Sequence, residues 1–218
     1  MPLTFPSHAA AVWPLHRAAP RLLPAAALIV GSCTPDLAYL LAGIDGIFTH
    51  SLRGTLLFSI PMGLVTLGWL ELIAPGFKFP RTAADLSRAT LAIWLGALTH
   101  LLWDGFTHRT RWPASVLYPT THVSLFGATI HLANLLQHTS TVAGLALAIA
   151  WARSEKLEVP RFDVVAVPLA ALASGAVIAA LLSGGPWHPW SMFWTAARGA
   201  LIALTAARLL HRAPAAVR

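Results

Sequence analysis

The chain has 218 residues, 56% of them hydrophobic and 11% charged, with a mean hydropathy of +0.66. Soluble domains carry about 25% charge, so this composition excludes an ordinary soluble globule and points to a single integral membrane domain over residues 1–218, with the lipid bilayer as its main partner. The net charge of +7 sits in short Lys and Arg clusters between apolar runs, which reads as topology signal and argues against a nucleic-acid-binding face; the one cysteine, Cys33, excludes internal disulfides and a Cys-rich zinc site.

The first apolar run, 22–42, is interrupted by Pro35-Asp36 and predicts a broken helix, because proline disfavours helix at Thr34 and removes a backbone donor. Arg17 and Arg21 followed by Val30-Gly31-Ser32-Cys33 also resemble a lipoprotein leader, but the basic residues lie far from Met1 and a span is preferred. A second run, 55–75, leads into the Pro- and Gly-bounded loop PGFKFPRTAAD, and a third covers 86–106. After a loop with Arg109, Arg111, Pro113 and Pro119, the fourth run, 122–152, is too long for one straight span and predicts an interfacial segment followed by a helix. Runs at 164–183 and 192–210 supply the last two, separated by SGGPWHPWSMFW, whose tryptophans suit a membrane surface. The expected fold is therefore all-α, a polytopic membrane bundle of about six transmembrane helices.

Basic residues orient such a bundle. Arg17, Arg21, Lys78, Arg81, Arg88, Arg153, Lys156, Arg161, Arg208, Arg212 and Arg218 fall on one side; Arg53, Arg109 and Arg111 fall on the other, with Arg198 inside the last run. This asymmetry predicts a protein of the cytoplasmic (inner) membrane with both termini in the cytoplasm and the end of the third helix at the outer face.

That third run contains His100, Asp104 and His108 at intervals of four. An ionisable group within hydrocarbon costs at least about 2.5–3.5 kcal/mol, so it pairs, lines a wet cavity or binds something. Residues four apart stand about 40° apart in azimuth and about 6 Å apart in height, so His100 and Asp104 can address one ion. His108 would lie about 12 Å from His100 on a straight helix, unless the helix ends at Gly105 and lets it fold back. Further ligands must come from elsewhere: Asp36, His50 in the following loop, and His8 near the start. His138 lies seven residues after His131, with Gln137 and Ser140 as supporting partners. Imidazole and carboxylate without thiolate suit zinc, manganese or iron. Bland alternatives stand beside each: a buried His–Asp pair locking helices, a Pro-Asp kink, a cationic C-cap at His108, and a hydrogen-bonded core role for His131.

The segments TFPSH ending at His8, GSCTPD ending at Asp36, His50 shortly before Arg53-Gly54, GALTHLLWDGFTH with His100, Asp104 and His108, and LLQHTS with His138 occur in this order. In this the chain resembles an uncharacterised family of small bacterial membrane proteins, over most of its length. That family is distantly similar to the membrane-bound metal-dependent hydrolases and, more weakly, to the zinc-dependent phospholipase C fold. The resemblance implies divalent metal, zinc or manganese, on His8, Asp36, His50, His100 and Asp104, with His108 and His138 secondary.

One topological conflict accompanies His8. With a cytoplasmic N-terminus it starts opposite His50 and reaches the same site only if residues 4–20 re-enter or cross, which Arg17 and the prolines oppose. The leading functional expectation is a metal-dependent hydrolase near the outer leaflet, with His138 or His108 moving protons and a phosphoester or lipid-derived substrate. The alternatives are a small transporter or channel whose polar groups line an ion path, and a scaffold that uses the same pairs to hold helices together.

Overall fold

A computed structural model describes residues 5–41, 43–74, 77–154, 194–202 and 204–205. Two short helices, α1 (Phe5–Ala11) and α2 (Trp13–Ala18), precede α3 (Ala25–Leu37), which runs on into a 3-10 turn at Ala38–Leu40. A one-turn helix, α4 (Gly46–Thr49), is capped by Asp45, whose carboxylate accepts from the Ile47 N–H at 2.9 Å. Then come α5 (Leu52–Ile73), with a π turn at Thr55–Ser59, and α6 (Ala83–Thr107), started by Thr82 accepting from the Asp85 N–H at 3.1 Å. A short α7 (Ala114–Leu117), an antiparallel hairpin of β1 (His122–Leu125) and β2 (Ala128–His131), and α8 (Leu132–Ser154) follow.

Contacts divide the described residues into two compact units. The first holds those up to Ala38, then Ile44–Leu67 and those from Pro80 through α8. Its centre is the crossing of α3 and α6. Small residues set how closely they approach: a Cβ added at Gly31 would stand 2.6 Å from the Ile93 Cα, and one at Gly96 would stand 2.7 Å from the Ser32 nitrogen. With Ala27 and Thr34 on α3 and Ala89, Ala92 and Ala97 on α6 also buried, the small residues let the two backbones approach closely and gain van der Waals contact. Along α8, Gly144 gives the same intimacy to α1, where an added Cβ would lie 2.7 Å from the Ser7 nitrogen. Trp13 stacks on Trp151 at the far end of α8. In the second unit Trp69 donates to the Thr205 hydroxyl, and Arg198 donates from its guanidinium to the Leu40 and Tyr39 carbonyls. Arg198 thus uses its charge to satisfy the open end of the 3-10 turn.

The helical expectation is met in outline and corrected in detail. Among the described residues two helices, α5 and α8, are long and apolar enough to cross a membrane. Both turn apolar side chains outward, Leu57 and Val65 on one and Val142 and Leu145 on the other. The third run forms α6, which is long but not among these two, because its central face is spent on small and ionisable residues buried inside the protein. The first run yields a 13-residue helix that falls short of a full span. The run 164–183 and parts of 192–210 lie outside the described residues. The interfacial segment expected before α8 is a β-hairpin, so the chain is not purely α; its turn takes Phe126 and Gly127 through positive φ, as a two-residue hairpin turn requires.

Thr34 is helical despite the proline after it. Pro35 cannot donate to the Gly31 carbonyl, and the Thr34 hydroxyl does so instead at 2.7 Å, which lets the helix continue through Asp36. Nor does Gly105 end α6, which continues to Thr107; the missing Cβ admits the chain at Trp112-Pro113, since an added one would stand 2.9 Å from Pro113 Cδ.

Candidate metal centre

The crossing of α3 and α6 carries ionisable groups of both helices to one place. His100, fully buried on α6, meets α3 through the Ser32 carbonyl, which accepts from its Nδ1–H at 2.8 Å. His50 closes α4, and its Nδ1–H donates to the Gly46 carbonyl at 2.7 Å. Each neutral imidazole has one proton, and both are committed to a backbone carbonyl. The two Nε2 lone pairs therefore face each other, 3.2 Å apart. Asp36 Oδ1 lies 3.1 Å from His50 Nε2 and 3.8 Å from His100 Nε2; Asp104 Oδ2 lies 3.7 Å and 3.5 Å from the same two atoms.

Asp104 Oδ2 also meets the Arg111 guanidinium at 3.0 Å, and the remaining electron-rich atoms repel unless a proton or a further cation lies among them. A proton on either Nε2 would serve one pair only. Donors bound to one ion at about 2.0–2.2 Å stand about 2.9 Å apart at octahedral edges and about 3.5 Å apart at tetrahedral ones. The five separations, 3.1–3.8 Å, fall close to that range, and most exceed a good hydrogen bond. Two groups can hold a metal ion by mutual donor distance: Asp36, His50 and His100; and His8, His100 and Asp104.

His8 enters from α1 and is fully buried, with its Nε2 3.5 Å from Asp104 Oδ1 and its ring stacked on that of His100 at 3.9 Å. The topological obstacle anticipated for it is met by α1 and α2 folding as two short helices, with α1 laid against α8 and α3. His108 follows the last residue of α6 and stays near Asp104, Nδ1 to Oδ1 at 3.4 Å. Burial pushes the His108 imidazole below the ordinary histidine range, against the pull of the Asp104 carboxylate; the nearby Arg111 lowers it further.

Five of the anticipated ligands, His8, Asp36, His50, His100 and Asp104, thus come together, with His108 beside them. His138 does not join them: it is exposed and lines a polar cavity of about 480 Å³ with Thr107, His108, Asn134 and Gln137. Gln137 serves His108, amide to Nε2 at 3.1 Å, rather than His138. His131 has a local role, with its Nε2–H donating to the Pro119 carbonyl and Nδ1 accepting from the Ala133 N–H. Sequence reasoning missed Arg111, whose guanidinium lies 3.0 Å from Asp104 Oδ2. Its position seven residues beyond Asp104, in a loop counted only for topology, gave little signal. Arg111 and His50 also border a cavity of about 750 Å³ whose walls include Ile47, Leu98, Leu101 and Leu102.

Residues 1–210 match the family described as "Domain of unknown function (DUF4184)". Neither the curated proteins nor the solved structures give a match.

Proposed function

We propose that this chain, which belongs to the DUF4184 family across residues 1–210, is a membrane-embedded metal-dependent hydrolase whose centre is built from His50, His100, Asp36 and Asp104. The observation that carries the reading is the pair of Nε2 atoms held face to face at 3.2 Å, with two carboxylates beside them, while each Nδ1 is committed to a backbone carbonyl. Backbone carbonyls fix each tautomer, the arrangement by which proteins orient histidines that bind metal. Zinc or manganese fits the all-N,O donor set. A divalent ion bound there would supply Lewis acidity toward a substrate oxygen and make water easier to deprotonate.

The chain's own groups divide the remaining work. Arg111, beside Asp104 and on the cavity wall, offers a fixed positive charge to an anionic oxygen of the substrate. Leu98, Leu101 and Leu102 give that cavity an apolar side suited to a hydrocarbon chain, which favours a phosphoester or lipid-derived substrate. His108 stands between Asp104 and the polar cavity and is positioned to carry a proton outward; His138, exposed at the same cavity, is a second step for it. The Lys and Arg asymmetry supports a cytoplasmic-membrane location with both termini inside and the site toward the outer leaflet.

A proton or metal-ion path is the competing reading, and the polar cavity beside His108 favours it. Detergent-purified protein tests the two in sequence. Tightly held zinc or manganese that is lost in Asp104→Ala supports the centre; no metal in either form after reconstitution refutes it. Hydrolysis in a phosphoesterase and lipase substrate screen, absent from Asp104→Ala, then separates enzyme from carrier.

A further inference from the structure

The cavity of about 750 Å³ beside the centre is arranged in reverse of a pocket that opens to water. Its polar groups are the sheltered ones: the His50 side chain is 3% exposed and that of Arg111 28%. Its mouth is apolar, with Ile47, Leu52, Leu102 and Trp112 each between 59% and 84% exposed. Large apolar side chains grouped around one opening mark a surface that meets lipid or a ligand rather than water. Leu52 begins α5, a helix long and apolar enough to cross a membrane, and Leu56 carries the exposed apolar surface onward. The mouth is thus continuous with the side that α5 would turn to lipid.

The walls suit an amphiphile. Leu98, Leu101 and Leu102 recur at i, i+3 and i+4 and make one apolar stripe of α6. Gly105 continues that stripe without a side chain, and the following loop closes on it: an added Cβ would stand 2.5 Å from the Trp112 carbonyl oxygen. This contact brings Trp112 to the mouth and Arg111, one residue earlier, to the Asp104 carboxylate at 3.0 Å. Arg111 meets Asp104 through Nη1 alone, whereas a guanidinium has five N–H donors in a planar fork, so it can bind a second anion as well. Among the described residues no Asp or Glu lines the cavity, and Thr110 adds a hydroxyl next to Arg111. An oxyanion fits that end and hydrocarbon fits the leucines; a water-soluble phosphoester would use only the first.

We propose that this cavity is a side entrance from the bilayer, admitting an amphiphile with an oxyanion head and a single hydrocarbon chain from the outer leaflet. The head rests on Arg111 and Thr110, and the chain lies along Leu98, Leu101 and Leu102. The volume is that of a pocket for one small ligand, roughly 300–1,000 Å³. Trp112 stands at the mouth, where an indole with its apolar body and polar edge suits the membrane surface. The inference rests on the hydrolase reading for the fate of the amphiphile, yet its binding is tested without metal.

Chelator-stripped full-length protein in phosphatidylcholine nanodiscs is the sample, and hexadecyl phosphate carrying a photoactivatable diazirine near its methyl end is the probe. Crosslinked peptides are located by mass spectrometry. Labelling should fall on the α6 peptide that holds Leu98, Leu101 and Leu102, saturate with probe, and be displaced by unlabelled hexadecyl phosphate but not by equal hexadecanol or inorganic phosphate. Arg111→Gln should weaken hexadecyl phosphate as a competitor by about 10-fold or more, the loss of one charge-assisted contact. The competitions on the wild type decide the matter if that variant does not fold. Labelling that never saturates overturns the proposal, since α6 would then only touch bulk lipid. Equal displacement by hexadecanol overturns it by removing recognition of the head, and displacement by inorganic phosphate overturns it by assigning the cavity to a water-borne anion. The hydrolase reading fails separately: saturable labelling with no hydrolysis in the substrate screen after metal is restored refutes the enzyme and keeps the entrance. Hydrolysis of a soluble phosphoester without saturable labelling does the reverse.

Discussion

Substituting Gly31→Ala tests whether the α3–α6 crossing positions the centre. The new Cβ would stand 2.6 Å from the Ile93 Cα, with the Ile93 carbonyl oxygen closer still, and both are backbone atoms that cannot swing aside. Ordinary contact begins at 3.4 Å, so the helices must part by at least about 0.8 Å. The His100 Nδ1–Ser32 carbonyl distance would then open from 2.8 Å to about 3.6 Å, where it no longer counts as a hydrogen bond. Overpacking of this kind costs about 1–3 kcal/mol. Loss of an orienting partner of a ligating histidine typically costs about 10–100-fold in metal affinity. Thermal unfolding in detergent should show a lower Tm, and Mn(II) titration should show weakened binding of that order. A Gly31→Ala protein with wild-type Tm and wild-type affinity would refute the argument that this crossing sets the His100 geometry.

Other substitutions separate the roles of the surrounding residues. Gly144→Ala, whose Cβ would meet Ser7 on α1, should displace His8 and weaken Mn(II) binding; wild-type affinity would count against α1 as a ligand-bearing element. Arg111→Ala should leave metal content unchanged and raise KM for an anionic substrate by about 10-fold or more, as loss of a charged contact does; an unchanged KM for that substrate would remove Arg111 from the binding machinery. Asp104→Asn keeps the shape but removes the charge, so metal content should fall, measured by elemental analysis; full retention would contradict its role as a ligand. Thr34→Val deletes the hydroxyl that satisfies the Gly31 carbonyl and should lower stability by about 1–3 kcal/mol in denaturant unfolding, the cost of a buried unsatisfied acceptor.

The legible parts of the site were those governed by local geometry. His100 and Asp104 pair because a helix places residues four apart together, and an apolar run makes them conspicuous. Pro35-Asp36 and His50 were recognisable from residue type and order, but their meeting depends on the α3–α6 crossing, which small residues set and hydropathy does not report. His8 was the hardest to place, because topology reasoning assumed a span or a loop, whereas short helices carry it inward. Arg111 and the use of Gln137 by His108 depend on loop paths with no periodic signature. The hairpin was hidden because its residues are apolar enough to read as part of a longer helical run.

The seat of α1 against α8 has a consequence for the order of assembly. His8 sits in the centre with Ser7 against Gly144, yet α1 is made long before α8 emerges from the ribosome. The helix carrying His8 can rest on α3 and α6 as soon as they are made, but its seat is closed only when α8 follows. The groups on α3, α4 and α6 can meet before then, so the wall behind the chain's earliest site residue is the last to be built.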